Sequence, residues 1–179
     1  MDLDDALLDD VDALIAADAR QLLPMTASAG ASMRAAAALT TPEVIERIAD
    51  DGRPHAVVVV GGGGSRAAGD ILAAVAGSGS PVPVMTFGGP SLPGWVGPTD
   101  LVVAVSGSGR TPETLAVAAE AARRGCRLVV VSPDRTPLAY LAEQTRGAAS
   151  VPVGVPTVSG TWRARTLMWS LATPLVLMS

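Results

Sequence analysis

An alternation of apolar strands and helices from residue 56 onward is the feature that most limits how this chain can fold. Residues 56–60 form a continuous, mostly β-branched run that ends in four glycines, as expected for a strand buried on both faces. A helix over Ser65–Ala76 follows, and the order of strand, loop and helix then recurs. This order is typical of an α/β fold, a doubly wound parallel sheet with helices on both faces. We expect about five strands in a flavodoxin-like order.

The other predicted elements rest on the same apolar runs and turn signals. Further strands are expected at Val82–Thr86, Leu101–Val105, Arg127–Val131 and Ser150–Val153, and helices at Pro112–Arg124, Pro137–Thr145 and Trp162–Met178. Upstream, helical spacing predicts a helix over 3–22 that Pro24 ends, a second over 27–38 and a third from Pro42 to Ala49. The chain is therefore divided into an N-terminal helical segment, 1–52, and an α/β domain, 53–179.

Composition excludes several classes of function. All 13 basic residues are arginine, so a Schiff-base lysine and a lysine-containing Walker phosphate loop are both excluded. The net charge is −4 and the arginines are scattered, so duplex nucleic acid is not an expected partner. The acidic N-terminus does not resemble a signal peptide, and the apolar runs are too short for a membrane span. Cys126 is the only cysteine and is expected in the core. These features predict a cytoplasmic protein.

Two small-residue loops follow predicted strands, at the edge of the sheet where α/β proteins bind ligands. The first, GGGGSRAAGD at 61–70, lets the backbone approach a ligand and offers the free N–H groups of a helix start to an anion. The second, SGSGRT at 106–111, interleaves three hydroxyls with two glycines before another helix. Its hydroxyls and N–H groups can donate to phosphate oxygens. The alternative for this loop is an ordinary helix start, with Thr111 as the cap and Pro112 in the first turn.

Residues 62–67 also satisfy the dinucleotide pattern G-x-G-x-x-A. A dinucleotide site, however, requires an acidic residue at the end of the second strand for the ribose hydroxyls. Here that strand ends in Val84-Met85-Thr86-Phe87, and no acid follows until Asp100. The pattern therefore disfavours NAD, and we expect no cofactor and no metal.

The two loops together resemble a known family. GGGGS at 61–65 and SGSGRTPET at 106–114 are similar to the paired motifs of SIS (sugar isomerase) domains, G-x-G-G-S and S-x-S-G-x-T-x-E-T. The chain resembles the N-terminal half of bifunctional phosphoglucose/phosphomannose isomerases and their actinobacterial relatives. Those proteins also carry a helical lead-in and an arginine that opens a helix after the last strand. Arg165 matches that arginine, and Arg163 is the competing assignment.

The resemblance implies a role for each matched position. The sugar phosphate would be held by residues of both loops, namely Gly63, Gly64, Ser65, Ser106, Ser108 and Thr111. Arg165 would lie by the reacting carbons and stabilise the enediolate. Arg66 and Arg110 depart from the family pattern, in which small or polar residues are usual at those points.

The acid and base groups of the family are not all present. Isomerisation needs a base that moves a proton between C1 and C2, and an acid for ring opening. In the resembling enzymes these groups are a Glu, a His and a Lys of a second SIS half. His55 is predicted at the opposite edge of the sheet, whereas Glu113 and Asp134 fall at the correct edge.

Three functions therefore remain open. They are the sugar-phosphate-binding half of an isomerase, a non-catalytic phosphosugar-binding module and a nucleotide-binding domain. The apolar C-terminal helix predicts contact with a homodimer partner or with a second SIS domain.

Overall fold

The computed structural model describes residues 8–19, 21–28, 30–31, 34, 38, 41–49 and 52–153. Its strands are β1 Val57–Gly61, β2 Val84–Phe87, β3 Leu101–Val105, β4 Arg127–Ser132 and β5 Ala149–Pro152. Its helices are α1 Val11–Ala17, α2 Leu22–Ala27, α3 Pro42–Ala49, α4 Ala67–Ala76, α5 Pro112–Arg123 and α6 Pro137–Gln144, and a 3-10 turn, Gly63–Arg66, precedes α4. The predicted helix 162–178, with Arg165, lies outside the described residues, as does most of the predicted helix 27–38.

The five strands form one parallel sheet in the order β2-β1-β3-β4-β5, which confirms the predicted fold class. Strand β1 pairs with β2 on one side and with β3 on the other, so the chain changes direction across the sheet at β1. In this topology the carboxyl ends of β1 and β3 flank the switch point. Both small-residue loops therefore leave the sheet at the expected place.

Alternation along the strands divides the core into two layers. Even-numbered residues such as Val58, Val102 and Leu128 pack with α5 and α6, while odd-numbered ones such as Val59 and Val103 pack with α3 and α4. Successive side chains of a strand point to opposite faces, so the valine runs supply both layers at once. Helices thereby cover both faces of the sheet, whereas the ends of the strands and the loops that leave them stay accessible.

The N-terminal segment corrects one prediction. Pro24 does not end the first helix: α1 ends at Ala17, and Pro24 lies in the first turn of α2. Proline is tolerated there because N–H groups of the first turn have no partner within the helix. The break is stabilised by the Asp18 carboxylate, which accepts the N–H groups of Leu22 and Leu23 at 2.8 Å each.

The long loop from β2 to β3 is held against the C-terminal end of α5. The Arg124 guanidinium donates to the carbonyls of Leu92, Pro93 and Val96 at 2.7–3.2 Å. It also pairs with Glu120 at 2.6 Å, and that carboxylate accepts the N–H of Leu92. Because Leu92 and Val96 are buried, this arrangement fixes the loop to the core.

Arg124→Ala should lower the free energy of unfolding by about 1–3 kcal/mol, since three carbonyls lose a charged donor. Arg123→Ala is the matched control, because the side chain of Arg123 neighbours Arg124 but is exposed and makes no hydrogen bond to the loop. Urea unfolding followed by circular dichroism measures both. Equal effects of the two variants would contradict the proposed loop anchor.

Stability should also depend on pH through Glu120. The Leu92 N–H, followed by Arg124, lowers the pKa of this carboxyl from its ordinary value of 4.5. A group whose folded pKa is lowered stabilises the fold fully above its unfolded pKa, and that contribution is lost as the pH falls through the folded pKa. The destabilisation caused by Glu120→Gln in urea unfolding should therefore be largest near neutral pH and shrink as the pH falls below 4.5, the ordinary pKa of the group. A pH-independent difference would contradict this assignment.

Candidate functional site

The candidate site lies where the loops after β1 and β3 leave the sheet side by side. The last residues of the two strands, Gly61 and Val105, are partners in the parallel register. A Cβ added at Gly62 would lie 3.2 Å from the Cγ2 of Thr111, so the loops are in contact immediately beyond the strands. The register thus places both loops at one point of the sheet edge.

The first loop turns tightly into α4. Gly63 has a φ of +56°, which disfavours any residue with a side chain. The N–H of Ser65 donates to the carbonyl of Gly62 at 3.1 Å, closing the 3-10 turn, and Ser65 is buried. Gly63, Gly64 and Ser65 therefore lie together in this turn, next to the second loop.

In the second loop, hydroxyls converge on Ser106. Its Oγ lies 3.0 Å from the Oγ1 of Thr111 and 3.5 Å from the Oγ of Ser108, the latter long for a hydrogen bond. Ser106 is 1% exposed, and its N–H donates to the carbonyl of Val131 on β4. The three predicted phosphate-binding side chains of this loop are thus brought together around a residue anchored to the sheet.

The start of α5 differs from an ordinary capped helix. Thr111 occupies the cap position and Pro112 begins the helix, as the sequence predicts, but the Thr111 hydroxyl makes no capping hydrogen bond. It contacts Ser106 instead. First-turn N–H groups have no partner within a helix, and the positive end of the dipole attracts anions. Because this helix is 12 residues long and its cap hydroxyl is turned away, its first turn can donate to an anion.

The third loop, residues 133–136 after β4, supports the second through contacts that the local sequence does not reveal. Gly109 has a φ of +61°, and a Cβ there would clash with the Oγ1 of Thr136, in the loop after β4. The carbonyl of Gly109 accepts the N–H of Leu138 at 3.1 Å. Thr136 is itself held by Ser132, whose Oγ lies 3.2 Å away. The glycine of S-G-R was the available signal, but its partner is 27 residues away and only the fold reveals it.

The acidic residues and the histidine considered for catalysis lie at two different edges of the sheet. Glu113 and Asp134 are exposed at the ligand-binding edge, and His55 is exposed before β1, at the opposite edge as predicted. Cys126 is buried in the core, and burial raises the pKa of its thiol. Across the described ranges, no cluster of three His, Cys, Asp or Glu residues is arranged to hold a metal. Arg165 lies outside the described residues, so its position in the site stays a prediction.

A family model for the SIS domain matches residues 53–178. The chain belongs to the SIS domain family. SIS domains bind sugar phosphates, which agrees with the chemistry of the two loops. No curated protein sequence matches the chain at a significant level.

Several solved structures share the fold. The chain aligns with the Vibrio vulnificus NanR protein complexed with ManNAc-6P, at a TM-score of 0.65 and 20% identity, over 95% of this chain and 63% of that one. The sugar isomerase domain of the Sphaerobacter thermophilus RpiR transcription factor aligns at a TM-score of 0.63 and 24% identity, over 87% and 88% of the two chains. Escherichia coli tagatose-6-phosphate ketose/aldose isomerase aligns at 0.59 and 17% identity, over 75% of this chain and 40% of that one. The chain thus spans less than two thirds of NanR and of the isomerase.

No helix in the part of the chain that the structure describes is both long and apolar enough to cross a membrane.

Gly109→Ala should be much more destabilising than Gly63→Ala, although both glycines have a positive φ. At Gly63 nothing lies within 4 Å of the added Cβ, so the cost is backbone strain alone, about 1–2 kcal/mol. At Gly109 the contact with Thr136 adds an overpacking cost, giving about 2–5 kcal/mol in total. Urea unfolding of both variants measures the difference. Equal losses of stability would show that the packing of Gly109 on Thr136 does not fix the loop.

Proposed function

We propose that this domain binds the phosphate of a sugar phosphate between the turn 63–65 of the first loop and the hydroxyls of Ser106, Ser108 and Thr111 in the second, as the phosphosugar-binding part of an aldose–ketose isomerase. The reaction type is conversion of glucose 6-phosphate or mannose 6-phosphate to fructose 6-phosphate. The observation that carries the proposal is the Thr111 hydroxyl, which contacts Ser106 and leaves the first turn of α5 uncapped. An anion there meets hydroxyls, N–H groups and a helix dipole together.

The proposed residues act at the two ends of the substrate, its phosphate and its reacting carbons. Gly63, Gly64 and Ser65 would hold the phosphate from one side, and Ser106, Ser108 and Thr111 from the other. Arg165 would stabilise charge on the enediolate, a contribution commonly worth a few kcal/mol. Holding the phosphate places C1 and C2 at a fixed distance from the loops, which is how binding at one end orients the other for reaction.

The acid and base are proposed to come partly from elsewhere. Within the described ranges, the carboxylates of Glu113 and Asp134 lie exposed at the edge of the sheet that carries the two loops, and His55 lies at the opposite edge. We assign the missing groups to a second SIS domain or to a homodimer partner that contacts the C-terminal segment. Residues 53–179 would then be the first SIS domain of a longer enzyme, preceded by the helical segment 1–52. The buried free Cys126 supports a reducing, cytoplasmic location.

A non-catalytic phosphosugar-binding module is the second candidate. Two of the similar structures, NanR and the RpiR domain, are a ligand-bound protein and a part of a transcription factor, and neither is described as an enzyme. A dinucleotide site is less well supported. At the end of β2 the Thr86 hydroxyl donates to the Asp70 carboxylate at 2.6 Å, so that carboxylate is already engaged.

Ser106→Ala and Thr111→Ala should each weaken the binding of fructose 6-phosphate by about tenfold or more, because a charged acceptor loses a hydroxyl donor. Thr145→Ala is the matched control. Its hydroxyl donates to Leu141 at the end of α6, at the opposite edge of the sheet. Isothermal titration calorimetry measures affinity, and circular dichroism checks the fold. Unchanged affinity in both loop variants would mean that the hydroxyls serve only the loop.

The catalytic part of the proposal has a separate test. The natural full-length gene product is assayed for conversion of glucose 6-phosphate and mannose 6-phosphate to fructose 6-phosphate, with Arg165→Gln as the catalytic variant. The isomerase is supported if the unsubstituted protein shows turnover and the Arg165→Gln variant loses turnover but still binds fructose 6-phosphate. Sugar-phosphate binding without turnover supports the regulatory module, and NAD binding without a response to sugar phosphates would overturn both.

A further inference from the structure

Two arginines lie on adjoining loops beside the proposed phosphate site. Arg110 follows Gly109 in the second loop, and Arg135 precedes Thr136 in the loop after β4. The carbonyl of Gly109 accepts the N–H of Leu138, and a Cβ at Gly109 would clash with the Thr136 side chain, so the two loops that carry the arginines are in contact. Strands β3 and β4 are also neighbours in register, which brings both loops to the same edge. The pair therefore flanks the site on its β4 side.

Neither guanidinium is engaged by the described part of the protein. Both side chains are exposed, and no carboxylate oxygen there lies within 4.0 Å of their nitrogens, although Glu113 and Asp134 are on the same edge. By contrast, Arg124 and Arg127 hold loop and helix carbonyls. The arginines that stabilise the fold are thus distinguishable from these two, which contribute no hydrogen bond to it through their side chains.

The backbone at Arg135 adds a second observation. Its φ is +57°, and among the described residues other than glycine only Gln21 shares a positive φ. Arginine is a costly residue in this conformation, where glycine, asparagine or aspartate is better tolerated. Backbone strain of this kind clusters at functional sites, and here the strained residue carries one of the two arginines.

We infer that Arg110 and Arg135 form a subsite for a second anionic group on the bound sugar phosphate, either a carboxylate or a second phosphate. This inference rests on the proposed function, because the first anion is the phosphate held by the two loops. Guanidinium groups suit both carboxylate and phosphate, which they contact through parallel N–H donors. The ligand class would then be a sugar phosphate with at least two acidic groups.

The competing role for these arginines is neutralisation of the single phosphate. In that case inorganic phosphate and glucose 6-phosphate would lose affinity along with any doubly charged ligand when either arginine is replaced. A subsite for a second group predicts instead that only doubly charged ligands lose affinity. The two roles therefore differ in which ligands respond.

The test is isothermal titration calorimetry at low, constant ionic strength, since salt screens exposed charges. The ligands are inorganic phosphate, glucose 6-phosphate, 6-phosphogluconate and glucose 1,6-bisphosphate, which separate a carboxylate from a second phosphate on one carbon framework. The variants are Arg110→Gln and Arg135→Gln. Arg123→Gln is the control with the same charge change, on an exposed side chain at the far end of α5.

The wild-type domain should bind one of the two doubly charged ligands about fivefold more tightly than glucose 6-phosphate, the scale of a partly exposed ion pair. Each site variant should abolish that preference and leave glucose 6-phosphate affinity unchanged, whereas Arg123→Gln should keep the preference. No preference in the wild type, or a preference that survives both substitutions, would overturn the subsite. Equal losses for all four ligands would assign the arginines to the first phosphate. Absence of binding by every ligand would instead refute the proposed function itself.

Discussion

The parallel pairing of β1 with β3 is the contact on which the rest of the site depends. The chain leaves β1 toward β2 on one side of the sheet and returns to the other side of β1 to form β3. The helices that follow β1 and β3 pack on opposite faces of the sheet, and in folds of this topology the crevice that binds ligands lies at that point. Because Gly61 and Val105 end their strands in register, the loops meet there directly, with the backbone of Gly62 against the side chain of Thr111. The site is thus a consequence of strand order and register before any side chain contributes.

Within that crevice, hydrogen-bonding groups are held by the core and not by the ligand. Ser106 is tied to β4 through its N–H, and Gly109 is packed against Thr136 and bonded to Leu138. The second loop is therefore supported from the third, and its hydroxyls are positioned by the protein itself. Pre-organised donors of this kind lose little conformational entropy on binding. The same contacts fix the backbone of the loops from which the exposed side chains of Arg110 and Arg135 extend.

Much of the fold could be predicted from residues whose environment is set locally. The valine runs predicted β1, β3 and β4 within one residue at each end, because a continuous β-branched run that ends at a glycine or serine is typical of a strand buried on both faces. The boundaries were less accurate where short-range and long-range effects compete. Strand β2 begins two residues later than predicted, after Pro83, and Pro24 lies in the first turn of α2 because the Asp18 carboxylate starts a new helix there.

For the site, the amino-acid sequence by itself determined the chemistry of the donors. It supplied hydroxyls and glycines at strand ends, excluded lysine and identified the residues that resemble the SIS motifs. It could not decide whether Thr111 caps its helix or turns toward Ser106, since both arrangements satisfy the local sequence. Only the tertiary structure decided this, because the position of Ser106 is fixed by β4 and that of Gly109 by Thr136. Local pattern specifies which groups are available, whereas packing between distant segments specifies which of them meet.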